Sequence, residues 1–279
     1  MSTLADFWAV ARLDLAEVLR SRWLLFCVGV YVVLAGIFVL VGMRESTVLG
    51  FTGMGRVLMS FSHGLTLILP LLALTATGQL VNRAREDGTL EFLLSQPFRR
   101  TAYFAAVTLT RLVLLIVPLV VLISALGLVS QLFLGESVPW AFVGRAMAIC
   151  SALVTAFVAI GLTISTFVRT QAKAATYTLL AWLVGVLLLD FGLIGMLLQW
   201  RIHPPTVFVL AAANPVQAAR MALLSGADPE LSVFGPVGYF LANRVGSLGL
   251  FALGLAWPLV LGAGLWLLSL AHFRRSDVV

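Results

Sequence analysis

The chain has 279 residues, of which 61% are hydrophobic and 11% charged, with a mean hydropathy of +1.06 and a formal net charge of +6. Soluble domains carry about 25% charged residues, so a water-facing globule of this composition would lack polar surface, and a soluble enzyme or nucleic-acid binder is excluded. At about 20 apolar residues per crossing, the composition is that of a polytopic, all-α membrane protein, in which basic residues set orientation.

In chain order, residues 3–22 come first. Leu4, Trp8, Ala11, Leu15 and Val18 recur at helical spacing opposite Asp6, Arg12, Asp14, Glu17 and Arg20. That pattern predicts an amphipathic helix lying in the inner interface, with Thr3 and Asp6 as its start signal. The three acidic residues and the lack of a small-residue cleavage site argue against a secretory signal peptide. Charge-poor stretches then predict six spans, at 23–43, 57–82, 103–135, 141–168, 174–200 and 245–272. The run from Ile202 to Ala219 contains His203-Pro204-Pro205 and Asn214-Pro215, which would break a regular crossing twice. Residues 201–244 are therefore expected to form a helical outer cap that partly re-enters the membrane, with short helices at Val216 to Ser225 and Val237 to Asn243.

Six spans put both termini on one side. That side carries Arg12, Arg20, Arg22, Arg83, Arg85, Arg99, Arg100, Arg169, Lys173, Arg274 and Arg275, against Arg44, Arg56, Arg201, Arg220 and Arg244 on the other. The excess places both termini in the cytoplasm.

Chemistry-bearing patterns are few. The three histidines, His63, His203 and His272, form no HExxH, and no GxSxG or Walker A loop is present, the single lysine being Lys173 in Gln-Ala-Lys-Ala. The chain is thus expected to carry no catalytic residues and no cofactor of its own, any ATP being bound by a partner. Cys27 and Cys150 lie in apolar runs and read as packing residues. Met43, Met54, Met59 and His63 are soft or borderline ligands, but their spacing matches no metal motif and packing is the preferred reading. Within the spans the deep charge is Asp190, about ten residues or about 15 Å from the outer end of the fifth span. Arg145, near the outer end of the antiparallel fourth span, is its expected partner in a buried ion pair.

Small and polar residues line the second and fifth spans: His63, Thr66 and Thr77 in one, Thr178, Gly185 and Gln199 in the other. Helix packing and a transport path are both open readings of these stripes. A comparable stripe in the fourth span, Ser151, Thr155, Ala159 and Thr163, is assigned to packing within the chain.

The most informative stretch joins the second and third spans. Asp87-Gly88 marks a turn, Thr89 a helix start, Leu90, Leu93 and Leu94 an apolar face, and Pro97 a stop. So short a helix cannot fold alone, and its exposed leucines call for a partner. Glu86 with Gly88-Thr89-Leu90-Glu91, then Leu93-Leu94-Ser95 and Pro97, resembles the coupling helix of ABC-2 type transporter permeases, covering 86–97. The interfacial helix, six spans and folded outer segment extend the likeness to the whole chain, a single permease domain of the ABC-2 or type V exporter kind. The resemblance implies a homodimer in the bacterial inner membrane, served by two copies of an ATPase subunit, with the second and fifth spans at the central interface. That favours the path reading.

Asn214-Pro215-Val216-Gln217-Ala218-Ala219-Arg220 and Gly235-Pro236-Val237-Gly238 look like the outer segment of permeases from multicopper-enzyme maturation systems. That narrower resemblance implies nitrous oxide reductase maturation as the setting, a periplasmic copper-handling accessory protein, and Asn214, Pro215 and Arg220 as outer docking residues. Composition and spacing say nothing of copper. The rival class is a non-transporting membrane anchor or scaffold for a periplasmic assembly factor, with the loop as a plain docking site.

Overall fold

The computed structural model describes residues 3–20, 22–42, 54–95, 99–133, 138–188, 204–227 and 244–275. All regular elements among them are helical. In order they are α1 (Thr3–Arg20), α2 (Arg22–Gly42), α3 (Met54–Thr77), α4 (Leu80–Glu86), α5 (Thr89–Ser95), α6 (Arg100–Phe133), α7 (Trp140–Phe167) and α8 (Gln171–Trp182). A π-helical segment (Leu183–Leu188) follows, then α9 (Pro204–Ala213), α10 (Pro215–Ala227) and α11 (Gly246–Arg275).

Four stretches among the described residues are long and apolar enough to cross a membrane: Ser60–Glu86, Arg100–Val129, Trp140–Phe167 and Gly246–Arg275. A fifth is reached if α1 and α2 are taken together as one span bent by 60°. The expected first span coincides with α2, and the fifth with α8 and the π-helical segment, beyond which its remainder lies outside the described residues.

The packing centre is α7, which contacts α3, α6, α10 and α11. Its sequence explains this: Ala146, Ala152, Ala156 and Gly161 are small and buried, so neighbouring backbones approach closely. Gly262 of α11 lies against the backbone of Thr155 and Ala156, where an added Cβ would stand 3.1 Å from the Ala156 Cα. Thr163 Oγ1 reaches the Leu265 carbonyl at 3.4 Å, so the stripe on the fourth span faces α11. Gly254 of α11 sits against Ala218 and Ala222 of α10 in the same way. Cys27 and Cys150 are both buried and unbridged.

The outer segment is drawn inward. Val216, Ala218, Ala219, Ala222 and Leu223 of α10 are buried, and α10 packs on α3, α7 and α11. The second expected cap helix, Val237 to Asn243, lies outside the described residues.

The expected apolar stripe of α1 divides between buried and exposed residues, and Asp14 of its polar side is turned inward. The buried residues are Val10, Ala11 and Val18, while Trp8, Leu13, Leu15 and Leu19 are exposed. The cause is Asp14, which turns towards α6 and meets Arg111, Oδ1 to Nη2 at 3.1 Å with the two side chains only 13% and 15% exposed. Fixing that pair rotates the leucines of α1 outward, where they offer an apolar surface to lipid.

Candidate functional site: the element between the second and third spans

After α3 the chain turns at Gly78 and Gln79 before resuming as α4. Gly78 is required there by contact, since an added Cβ would collide with the Thr178 side chain and the Leu74 carbonyl. Thr77 lies against Gly161 in the same manner, so the end of α3 is meshed with α7 and α8. Thr77 and Thr178 are both buried, and each hydroxyl donates to the carbonyl four residues back, Ala73 and Ala174, at 2.7 Å. The turn frees backbone amides at the start of α4, and Val81 N donates to Ser165 Oγ of α7 at 2.8 Å.

The turn between α4 and α5 is made by Asp87 and Gly88, with Gly88 at φ +69°, a conformation that costs glycine little and other residues more. From there α5 runs Thr89–Ser95 with Glu91 in its first turn, where a negative charge suits the helix dipole. Leu90 is fully buried, Leu93 half-buried and Phe92 67% exposed. The expectation of exposed leucines is therefore corrected at Leu90, which is folded into the chain's own core, while Phe92 is an apolar side chain that faces outward. The Leu94 side chain and Pro97 lie outside the described residues.

Two hydrogen bonds fasten this element to the start of α8. Gln171 N donates to Glu86 Oε1 at 2.9 Å, and Gln171 Nε2 donates to Gln79 Oε1 at 2.9 Å. Glu86 thus caps the first turn of α8, where an exposed amide and the helix dipole both favour a carboxylate. Arg83 and Asp87 add an exposed i,i+4 pair at 3.6 Å. The Gly88 turn and Glu86 thus connect α5 to the beginning of α8. The sequence offered Glu86 as part of a motif; its partner on α8 could not be read from spacing, because the two are 85 residues apart.

At the other end of the bundle, Arg220 Nε of α10 donates to Thr66 Oγ1 of α3 at 3.0 Å, and Thr66 in turn donates to the His63 carbonyl at 2.7 Å. The structure thus brings Arg220, expected as an outer docking residue, to His63 and Thr66 of the candidate path. Asn214 is buried between α9 and α10, Nδ2 donating to the Gly185 carbonyl at 2.7 Å and Oδ1 accepting from Val216 N at 3.0 Å. Pro215 occupies the first position of α10, where its missing amide proton costs nothing. Arg145 lies over the Phe251 ring, 5.2 Å from its centroid. Asp190, its expected partner, and Gln199 lie outside the described residues, as do Met43 and the side chains of Met54 and Met59. No group of three or more His, Cys, Asp or Glu is placed to hold a metal ion among the described residues.

Apolar helices long enough to cross a membrane are gathered about α7, with the α4–α5 corner fastened to the start of α8, the architecture of a polytopic helical membrane protein. The chain belongs to the ABC-2 family of transporter proteins, whose sequence model matches residues 8–278. It is similar to the probable ABC transporter permease protein NosY of Stutzerimonas stutzeri, with 32% identity over 279 aligned residues, 96% of this chain and 98% of that one. It is also similar to the protein of the same description from Pseudomonas aeruginosa strain PAO1, with 30% identity, 97% of this chain and 98% of the relative being covered.

Proposed function

We propose that this permease works as a homodimer in the bacterial inner membrane, with six spans, both termini in the cytoplasm and residues 86–97 as its coupling helix. Two ATPase subunits dock on that element, and ATP-driven motion of the subunits is transmitted to the spans. Family membership implies an ATPase partner, and a chain without a nucleotide-binding loop must draw its driving energy from elsewhere. The observation that carries the reading is the bond between Glu86 and Gln171, which joins the docking element to the fifth span rather than leaving it as a free loop.

The motion serves transport or remodelling across the membrane in copper-centre assembly, for nitrous oxide reductase. What supports this is the likeness of the outer segment around Asn214 and Pro215 to permeases of multicopper-enzyme maturation, together with the two NosY relatives. A periplasmic copper-handling partner docks on residues 201–244. Whether a substrate runs between the second and fifth spans or the partner alone is remodelled, the route begins at α5.

ATP hydrolysis by the complex, reconstituted in lipid nanodiscs, tests the coupling. Gly88→Pro, which forbids the positive φ at the turn, is expected to lower permease-stimulated hydrolysis about tenfold, or about 1.4 kcal/mol, while the ATPase still co-purifies. Unchanged hydrolysis with intact binding would make the element an anchor and remove the coupling role.

A further inference from the structure

Between α1, the α3 to α5 corner and α6 lies a cleft of about 860 Å³. Helix α4 gives it Arg83, Ala84 and Asp87, and stands between two turns, Gly78 with Gln79 before it and Asp87 with Gly88 after it. Asn82 and Arg85 of the same helix do not line the cleft. Asn82 is wholly buried, yet neither its side-chain oxygen nor its nitrogen has a hydrogen-bond partner, and Arg85 Nε is also buried and unpaired. The like charge of Arg169, just past the end of α7, acts on the same guanidinium. The three unpaired atoms are closed to water and to any ligand in this seat. Their cost is relieved only by movement of the helix that carries them.

We propose that α4 has a second seat, reached by swinging away from α7 and across the cleft towards α1. On the α1 wall stand Glu17 and Arg20, about one turn apart, and on the α4 wall Arg83 and Asp87, also about one turn apart. Only one arrangement sets opposite charges together, Glu17 with Arg83 and Arg20 with Asp87. In the described seat Arg83 and Asp87 pair with each other instead, at 3.6 Å and with side chains 73% and 59% exposed, a pair that costs little to give up. Three hydrogen bonds hold α4 where it stands: Val81 N to Ser165 Oγ, and the two that Gln171 makes with Gln79 and Glu86. Against these, the swing opens Asn82 and Arg85 to water and pairs four charges across the closed cleft. The turns at Gly78 and Gly88 are the pivots, and Thr89, Phe92 and Leu93 of α5 move with α4 into the space they already line. The device belongs to the permease alone, so it stands or falls whether or not an ATPase docks on α5.

The test is the distance between spin labels on Arg12→Cys of α1 and Glu91→Cys of α5, both at exposed positions, Cys27 and Cys150 being buried. It is read by double electron–electron resonance on the full-length permease in lipid nanodiscs, labelled copies being diluted with unlabelled ones. Two distances are expected, the shorter from the closed cleft. Arg83→Glu with Asp87→Arg keeps the pair within α4 but sets like charges across the cleft, and should lower the ratio of short to long about fivefold. Adding Glu17→Arg with Arg20→Glu should restore it. Asn82→Leu removes the unpaired amide from the described seat, so it should raise the melting temperature and also deplete the short distance. One distance in every variant, a short population that ignores the α4 swap, or no rescue by the α1 swap overturns the proposal. So does an Asn82→Leu protein that melts lower than wild type, since the amide would then have had a partner.

Discussion

Asn214 Nδ2 donates to the Gly185 carbonyl at 2.7 Å, joining the break between α9 and α10 to the π-helical segment that follows α8. Each side of the bond explains the other. A π-helical turn is wider than an α-helical one and presents its carbonyls differently, so Gly185 can be reached from outside its own helix. Asn214, at the N-cap of α10, spends its oxygen on Val216 N and has its amide free to turn outward. One side chain therefore caps a helix and fastens the π-helical segment to the α9–α10 break. Asn214→Ala should remove both bonds and leave a part-buried carbonyl unpaired, at about 1 kcal/mol for the carbonyl and about 1 kcal/mol for the cap. Asn214→Ser keeps a capping oxygen and should lose only the first. Thermal unfolding of the detergent-solubilised protein would rank them wild type, Ser, Ala.

The Asp14 and Arg111 pair predicts a non-additive double-mutant cycle. Removing one partner strands a mostly buried charge, so Asp14→Ala is expected to destabilise by about 3 kcal/mol, whereas Asp14→Leu with Arg111→Met should cost little or stabilise. Burial raises the Asp14 carboxyl above its ordinary 3.8, Arg111 opposing but not cancelling the effect. The docked helix thus holds the proton more tightly than an undocked one. Docking of α1 should strengthen as pH falls through the raised value towards 3.8, and be weakest above it. Amide exchange of α1 followed across acidic pH would show rising protection; falling protection would reverse the sign.

These contacts mark where the sequence was legible and where it was not. Composition alone gave the apolar helices, because every crossing must satisfy its own backbone. Asn214-Pro215 and Asp87-Gly88 were readable as breaks, since each pair has a local backbone reason to end a helix. That Asp14 of α1 turns inward was not legible, because periodicity sets an aspartate on the polar side and cannot register that Arg111 stands 97 residues later. The burial of Leu90 was missed for a related reason: an apolar face looks the same whether it meets its own chain or another. The π-helical segment had no signal in Leu183-Val184-Gly185, which reads as any other stretch of span.

Two glycines of α7 allow the meshing of helices to be measured. At Gly161 an added Cβ would strike the Thr77 side chain and come within 3.2 Å of the Gly78 backbone nitrogen, which cannot swing away. At Gly144 nothing lies within 4 Å. Gly161→Ala should therefore cost about 1–3 kcal/mol through overpacking, while Gly144→Ala should be neutral or stabilising by up to about 1 kcal/mol through helix propensity. Melting temperatures of the two variants, measured side by side, should move in opposite directions or differ by several degrees. Equal shifts would mean that α3 and α7 are farther apart than described.

Phe92 separates folding from coupling more cleanly than Leu90 of the same helix. Leu90 is wholly inside the chain, so Leu90→Ala would confound loss of a core contact with loss of docking. Phe92 is 67% exposed, and trimming it leaves no internal cavity. Phe92→Ala is thus expected to leave the melting temperature of the isolated permease unchanged. If α5 docks in an ATPase cleft, an aromatic anchor there is worth about 2 kcal/mol, so the affinity for the ATPase subunit should fall about thirtyfold. Glu86→Gln gives the complementary result: the Gln171 amide keeps an acceptor but loses the charge, so binding should persist while permease-stimulated hydrolysis declines. Binding titrations and hydrolysis rates on the two variants resolve docking from transmission, and a Phe92→Ala protein with undiminished affinity would move the docking surface away from α5.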